Sequence, residues 1–212
     1  MLEIFSKSLK HRLALPLPGR EAQLKMAHAE RRLNLSRYKI PAEARPGSVL
    51  ILLFEDEGTI KLPLIMRSDY DGVHSGQIGL PGGKFESEDA DLQSTALRET
   101  EEEIGISKSD VSLIGRLTEL YIPPSNFLIT PVIGFSEQRP DFVLETNEVA
   151  GIIEPTLSEL LDENAVGIKK INVRSDIAID APYFDIQGRT VWGATAMMIS
   201  ELNEILKKIT GS

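Results

Sequence analysis

The sequence predicts an α/β protein in which a mixed sheet is covered by helices on both faces. Two observations carry this. Short apolar runs of strand length (residues 47–54, 60–67, 111–117, 127–135 and 166–173) are interleaved with Gly- and Pro-free stretches of helical length. In addition, 42% hydrophobic residues in a 212-residue chain suffice for one core, with room for an extension.

In chain order, Leu2, Ile4, Phe5, Leu9 and Leu13 mark an amphipathic helix over residues 1–15. Lys7 and Lys10 would also suit a membrane-surface helix, but packing on its own domain or on a partner subunit is the better reading. Pro16-Leu17-Pro18-Gly19 breaks it, and residues 21–34 read as a second helix, polar around Glu30-Arg31-Arg32. Residues 41–46 then make a linker, so residues 1–45 form a helical extension and residues 46–212 the main domain. Residues 47–54 and 60–67 read as a hairpin, with Pro63 placing the second strand at an edge or bulge. Residues 89–104 read as one helix, ended by Gly105. The YIPPSN loop of residues 121–126 has its shape fixed by two prolines, and Thr156-Leu157-Ser158-Glu159 is a capping box opening a helix through Leu161. A hairpin around Gln187-Gly188 and a helix over residues 193–208 with lysines in its last turn complete the chain.

Composition excludes several classes. The net charge of −9 argues against a general nucleic-acid binder, which needs a basic face, although an anionic small molecule remains possible. No apolar run approaches the ~18 residues of a membrane span, and the N-terminus lacks a signal-like apolar core. With no cysteine, disulfides, thiolate metal sites and a Cys nucleophile are all excluded, and a cytoplasmic protein is expected.

The informative stretch is the predicted helix of residues 89–104. Glu99, Glu102 and Glu103 fall within an arc of about 100°, whereas Glu101 points nearly the other way. Glu99 and Glu103 are like charges at i,i+4, which costs ~0.2–0.5 kcal/mol. All three sit at the negative end of the helix dipole, a further ~0.3–1 kcal/mol each. Local rules broken twice at one place point to function, and a hard divalent cation would offset the repulsion. The bland alternative is a solvated acidic face; the flanking glycines and Arg98 speak against it.

Residues 98–106 (RETEEEIGI), with the glycines before them, resemble the Nudix box: G, five residues, E, seven residues, REUxEExGU, where U is a bulky aliphatic. Thr100 stands where U is expected, and Gly83 and Asp89 each lie one residue earlier than the pattern requires. This longer spacing resembles the coenzyme A-cleaving branch of the family. So do Arg67-Ser68, the HSGQIGLPGG of residues 74–83, YIPPSNF of residues 121–127 and VWGATA of residues 191–196. Gly79-Leu80 replaces the branch's usual Ser-Phe or Ala-Phe.

The resemblance implies a Nudix α/β/α sandwich over residues 46–208 and a Mg²⁺- or Mn²⁺-dependent diphosphatase. It implies Glu99 and Glu103 as metal ligands, and Glu102 as a further ligand or the base; Glu102 and Glu103 are the catalytic candidates. Arg98 is implied to pair with Asp89 and clamp the loop to the helix. Substrate would meet Arg67, Ser75, Gln77, Gly82, Gly83, Lys84 and Asn126, with His74 in the branch segment and Trp192 read as core. Gly82-Gly83-Lys84 would offer backbone N–H groups to phosphate, although a Gly-Gly pair is as readily a plain turn. The implied substrate is coenzyme A or an acyl-coenzyme A, cut to 3′,5′-ADP and a 4′-phosphopantetheine product. The alternatives are ADP-ribose or a dinucleoside polyphosphate, and a Nudix-fold binding module without turnover. The partner is a small-molecule diphosphate, neither nucleic acid nor membrane; the extension could also serve a homodimer.

Overall fold

Helix α1 (Leu2–Leu13) buries Leu2, Ser6 and Leu9 at i, i+4 and i+7 and leaves Ile4 76% exposed. In this computed structural model, residues 2–34, 39–68, 76–174 and 177–211 are described. The single helix expected over residues 21–34 is two, α2 (Gly19–Leu24) and α3 (Ala29–Asn34). Between them Lys25, Met26 and Ala27 donate to carbonyls three residues back, a tightened turn that drives Met26 and Ala27 into the core.

Strand β1 (Arg45–Asp56) and β2 (Thr59–Lys61) form the expected hairpin about Glu57 and Gly58, both with positive φ. The second apolar run does not continue as one strand. Pro63 offers no N–H to a ladder, Leu62 N donates to Pro155 O at 3.1 Å, and β3 (Leu64–Arg67) crosses to a different sheet. The short strands β4 (Ile78–Gly79) and β5 (Gly82–Lys84) follow, neither of them foreseen from the sequence. Helix α4 (Leu92–Ile104) starts three residues later than expected because Asp91 caps it, accepting from Ser94 N at 2.8 Å. Gly105, at φ 75°, ends it.

Next come β6 (Ser112–Arg116), β7 (Leu120–Ile122), β8 (Phe127–Ser136) and β9 (Val149–Ile153), then α5 (Leu157–Leu161), opened by a complete Thr156/Glu159 capping box. Strands β10 (Val166–Arg174), β11 (Ile177–Ile186) and β12 (Arg189–Trp192) lead into α6 (Gly193–Thr210).

The main sheet runs β2-β1-β8-β6, with β5 also on β1 and β7 also on β8. It is mixed: β1 and β8 are parallel and the other pairs antiparallel. Two three-stranded sheets, β4-β3-β9 and β10-β11-β12, flank it. β1 is buried without a break from Gly47 to Phe54 because both its faces are covered. Leu50 and Leu52 pack with Ala96 and Ile104 of α4, while Val49, Ile51 and Leu53 pack with Ile199 and Leu202 of α6. Among the described residues, no helix is long and apolar enough to cross a membrane.

The N-terminal helices lie on α6 through a buried polar knot. Glu201, fully buried, accepts from Gly19 N (3.0 Å), Thr118 Oγ1 (2.7 Å) and Gln23 Nε2 (2.8 Å). Glu201→Ala strands these donors away from water, so a loss of about 2–4 kcal/mol is expected in chemical denaturation. A loss below ~1 kcal/mol would show that the knot holds nothing.

Candidate active site

Helix α4 turns Thr95, Ala96, Thr100, Glu103 and Ile104 inward. Thr100 takes the place of an aliphatic without leaving an orphan, since its hydroxyl donates to Ala96 O at 2.7 Å. Glu103 is 2% exposed, and its Oε2 accepts from Gly82 N at 2.8 Å. Arg67 Nη1 stands 3.6 Å from Glu103 Oε1, and its Nη2 donates to Gly82 O at 3.4 Å. Burial pushes the Glu103 carboxyl up to about 7; Arg67 and the Gly82 N–H oppose this, and the charges of Glu99 and Glu148 add to it. Burial likewise raises Glu99, against the pull of Arg98.

Gly82 is a steric necessity here, whereas Gly83 leaves room for the Glu99 carboxyl group. A Cβ on Gly82 (φ 145°) would strike Ser48 O and come within 2.5 Å of Val49 Cα. One on Gly83 would lie 2.5 Å from the Glu99 carboxyl group. The pair therefore forms a strand laid on β1, with the Gly82 N–H committed to Glu103 instead of open to phosphate.

Arg98 ties the strand to the helix. Its Nε and Nη2 donate to the two oxygens of Asp89 at 2.9 and 3.0 Å, and Nη2 also donates to Lys84 O at 3.0 Å. Its Nη1 reaches Glu99 at 3.1 Å and Glu102 at 2.9 Å. Asp89 accepts further from Glu86 N and Thr95 Oγ1, and Arg98 holds it far below the usual carboxylate range.

Glu99 and Glu103 open into a cavity of about 580 Å³, together with Arg67, Gln77, Gly83 and Lys84. Gly82 also lines it. Glu102 does not: 58% of its side chain is exposed and it is turned to Arg98. Asn126 is absent from the lining as well. It ends a 3₁₀ turn at φ 52°, its Oδ1 accepting from the Tyr121 hydroxyl and its Nδ2 donating to Glu43 O. Ser75 and His74 lie outside the described residues. Trp192, expected in the core, is half-buried in the cavity wall.

Two contributors carried no sequence signal. Glu148, on the loop before β9, reaches the cavity because its carbonyl accepts from Ser68 N at 2.9 Å, next to Arg67. Arg31 of α3 arrives from the N-terminal segment. Nothing in the local pattern of either residue distinguishes it from a surface charge.

As the side chains stand, no three His, Cys, Asp or Glu among the described residues are gathered closely enough to grip a metal ion. The donor chemistry still fits a hard divalent cation. Glu99 and Glu103 are oxygen donors on one cavity wall with Glu148, and both are shifted in the direction a bound cation would reverse.

A family model of the Nudix domain matches residues 44–178. The chain belongs to the Nudix family. It is thereby a hydrolase of pyrophosphate bonds, in a family whose members generally use a divalent metal such as Mg²⁺ or Mn²⁺. An uncharacterized Nudix hydrolase, NudL, of Yersinia pestis strain Pestoides F is 31% identical over 183 residues, covering 85% of this chain and 88% of its own. The same figures hold for NudL of Yersinia pseudotuberculosis strain IP 31758. The Nudix hydrolase RenU of M. smegmatis shares the fold at TM-score 0.56 and 16% identity, over 78% of this chain and 88% of that one. The MutT protein of Methanosarcina mazei Go1 matches at TM-score 0.50 and 18% identity, over 77% and 95%. In this Nudix chain the box is α4 with the strand clamped to it, and Arg98 is the clamp.

Proposed function

We propose that this Nudix hydrolase cleaves the diphosphate of coenzyme A or an acyl-coenzyme A, releasing 3′,5′-ADP and the matching 4′-phosphopantetheine. The observation that carries this reading is the shared cavity. Glu99 and Glu103 sit on one wall, whereas Ile78, Leu80, Trp192, Met197 and Met198 give it an apolar lining suited to a pantetheine or acyl arm. The HSGQIGLPGG and YIPPSNF segments support the same branch.

In this reading Glu99 and Glu103 would hold Mg²⁺ or Mn²⁺, with Glu148 as an additional carboxylate on the same wall, and Glu102 could serve as a further ligand or the base only after leaving Arg98. The cation would neutralise bridging oxygens and acidify a bound water. Arg67 and Lys84 face the diphosphate's remaining charge. Met26, Ala27 and Arg31 line the cavity, so residues 1–45 count as part of the working enzyme.

With Mg²⁺ and a panel of coenzyme A, an acyl-coenzyme A, ADP-ribose and a dinucleoside polyphosphate, one of the coenzyme A compounds should show the highest kcat/KM, by about tenfold or more. Equal or better turnover of ADP-ribose removes the coenzyme A assignment. Ligand-induced thermal stabilisation without any release of a phosphate ester would make the chain a binding module.

A further inference from the structure

Arg31 lies outside the Nudix box, yet lines the same cavity. Its Nη2 donates to Tyr121 O at 2.7 Å, but its Nε is shielded from solvent and has no hydrogen-bond partner. Among the described residues no carboxylate pairs with it, although Glu30 also lines the cavity. His28 Nδ1, on the same wall, accepts from the Arg31 backbone N–H at 3.4 Å. Burial, together with the charge of Arg20, lowers the Arg31 guanidinium to about 10, so it stays charged at neutral pH while poorly solvated. A guanidinium that only pinned α3 to β7 would need Nη2 alone. A half-buried guanidinium on the cavity wall, with no carboxylate partner among the described residues, is a ready donor to a planar pair of anionic oxygens.

We infer that Arg31 is a second anion subsite, binding a phosphomonoester that the substrate carries apart from the diphosphate being cut. This rests on the coenzyme A reading, in which that group is the 3′-phosphate. The N-terminal segment then selects among diphosphates while α4 acts on all of them alike.

Calorimetric titration of the full-length chain with adenosine 3′,5′-bisphosphate and with adenosine 5′-monophosphate tests this without turnover. The wild type should prefer the bisphosphate by about 10–100-fold, the worth of one charged hydrogen-bonded contact. Arg31→Gln should remove most of that preference, and Arg31→Lys should keep part of it. In kinetics, the ratio of kcat/KM for coenzyme A over dephospho-coenzyme A should fall in Arg31→Gln, through KM. No preference in the wild type overturns the subsite. So does a preference unchanged in Arg31→Gln, or both ligands weakened equally, which would leave only a role in seating α3. If Arg31→Gln does not fold, Arg31→Lys decides alone: a preference reduced severalfold supports the subsite and an intact one overturns it. Failure to hydrolyse coenzyme A would sink the proposed function on its own, since the nucleotide titrations still read Arg31.

Discussion

Glu103→Gln is expected to lose at least ~100-fold in kcat, about 2.7 kcal/mol of barrier, while the protein stays folded. The amide keeps an oxygen for the Gly82 N–H but gives up the charge that would hold a cation beside Glu99. In metal-free buffer the variant should be at least as stable as the wild type near neutral pH. The sign follows from protons bound. Folding raises the Glu103 carboxyl from its ordinary 4.5 to about 7. The folded state therefore binds the proton more tightly, and this group's stabilising contribution is complete below pH ~4.5 and lost as pH rises to ~7. Thermal unfolding of both proteins in EDTA across that window should show the wild type losing ground as pH rises, and Mg²⁺ should flatten the difference. A difference that does not change with pH, or a variant with full activity, would remove Glu103 from the chemistry.

Arg98→Ala should be as damaging to activity, again ~100-fold or more, and unlike Glu103→Gln should also destabilise, by about 3 kcal/mol. The substitution leaves Asp89, whose side chain is 4% exposed, without its bidentate partner. It also frees the Lys84 carbonyl and sets Glu99 and Glu102 against each other unshielded. The strand carrying Gly82 and Gly83 then loses its tie to α4, and a displacement of about 1 Å is enough to cost ~100-fold in rate. Acid sensitivity provides a separate check. Asp89 is held below its ordinary value, so the pair's contribution is present above pH ~4 and lost only as pH falls toward the lower folded value. Without Arg98, acid unfolding should begin at higher pH. The effects of Asp89→Asn and Arg98→Ala should be less than additive in stability; strict additivity would mean that the two residues do not act as a pair.

What could be read without coordinates was local. Gly105 and the Thr156/Glu159 box bound their helices through bonds spanning three or four residues, so composition and spacing betray them, whereas the Asp91 cap goes unread and α4 starts three residues later than the sequence predicts. The i, i+3, i+4 spacing places Glu99, Glu102 and Glu103 near one another on α4 by helix geometry alone. Which of them enters the cavity is another matter. Glu103 goes inward because Gly82, far back in the chain, presents an N–H there, and Glu102 stays out because Arg98 holds it.

Strands were read less well than helices. β4, β5, β7 and β9 are two to five residues long, and such pieces owe their existence to a neighbour's ladder. Pro63 announced a disruption, but its lack of an N–H could not tell that the chain would change sheets.

The sequence by itself determined the acidic helix, its glycine boundaries and hence the family, because helix periodicity, capping and spacing act over a few neighbouring residues. The tertiary structure alone decided that Glu148 and Arg31 share a cavity with that helix. Bringing together groups 49 and 68 residues from Glu99 is the result of sheet pairing and core burial, which leave no mark on the residues beside them.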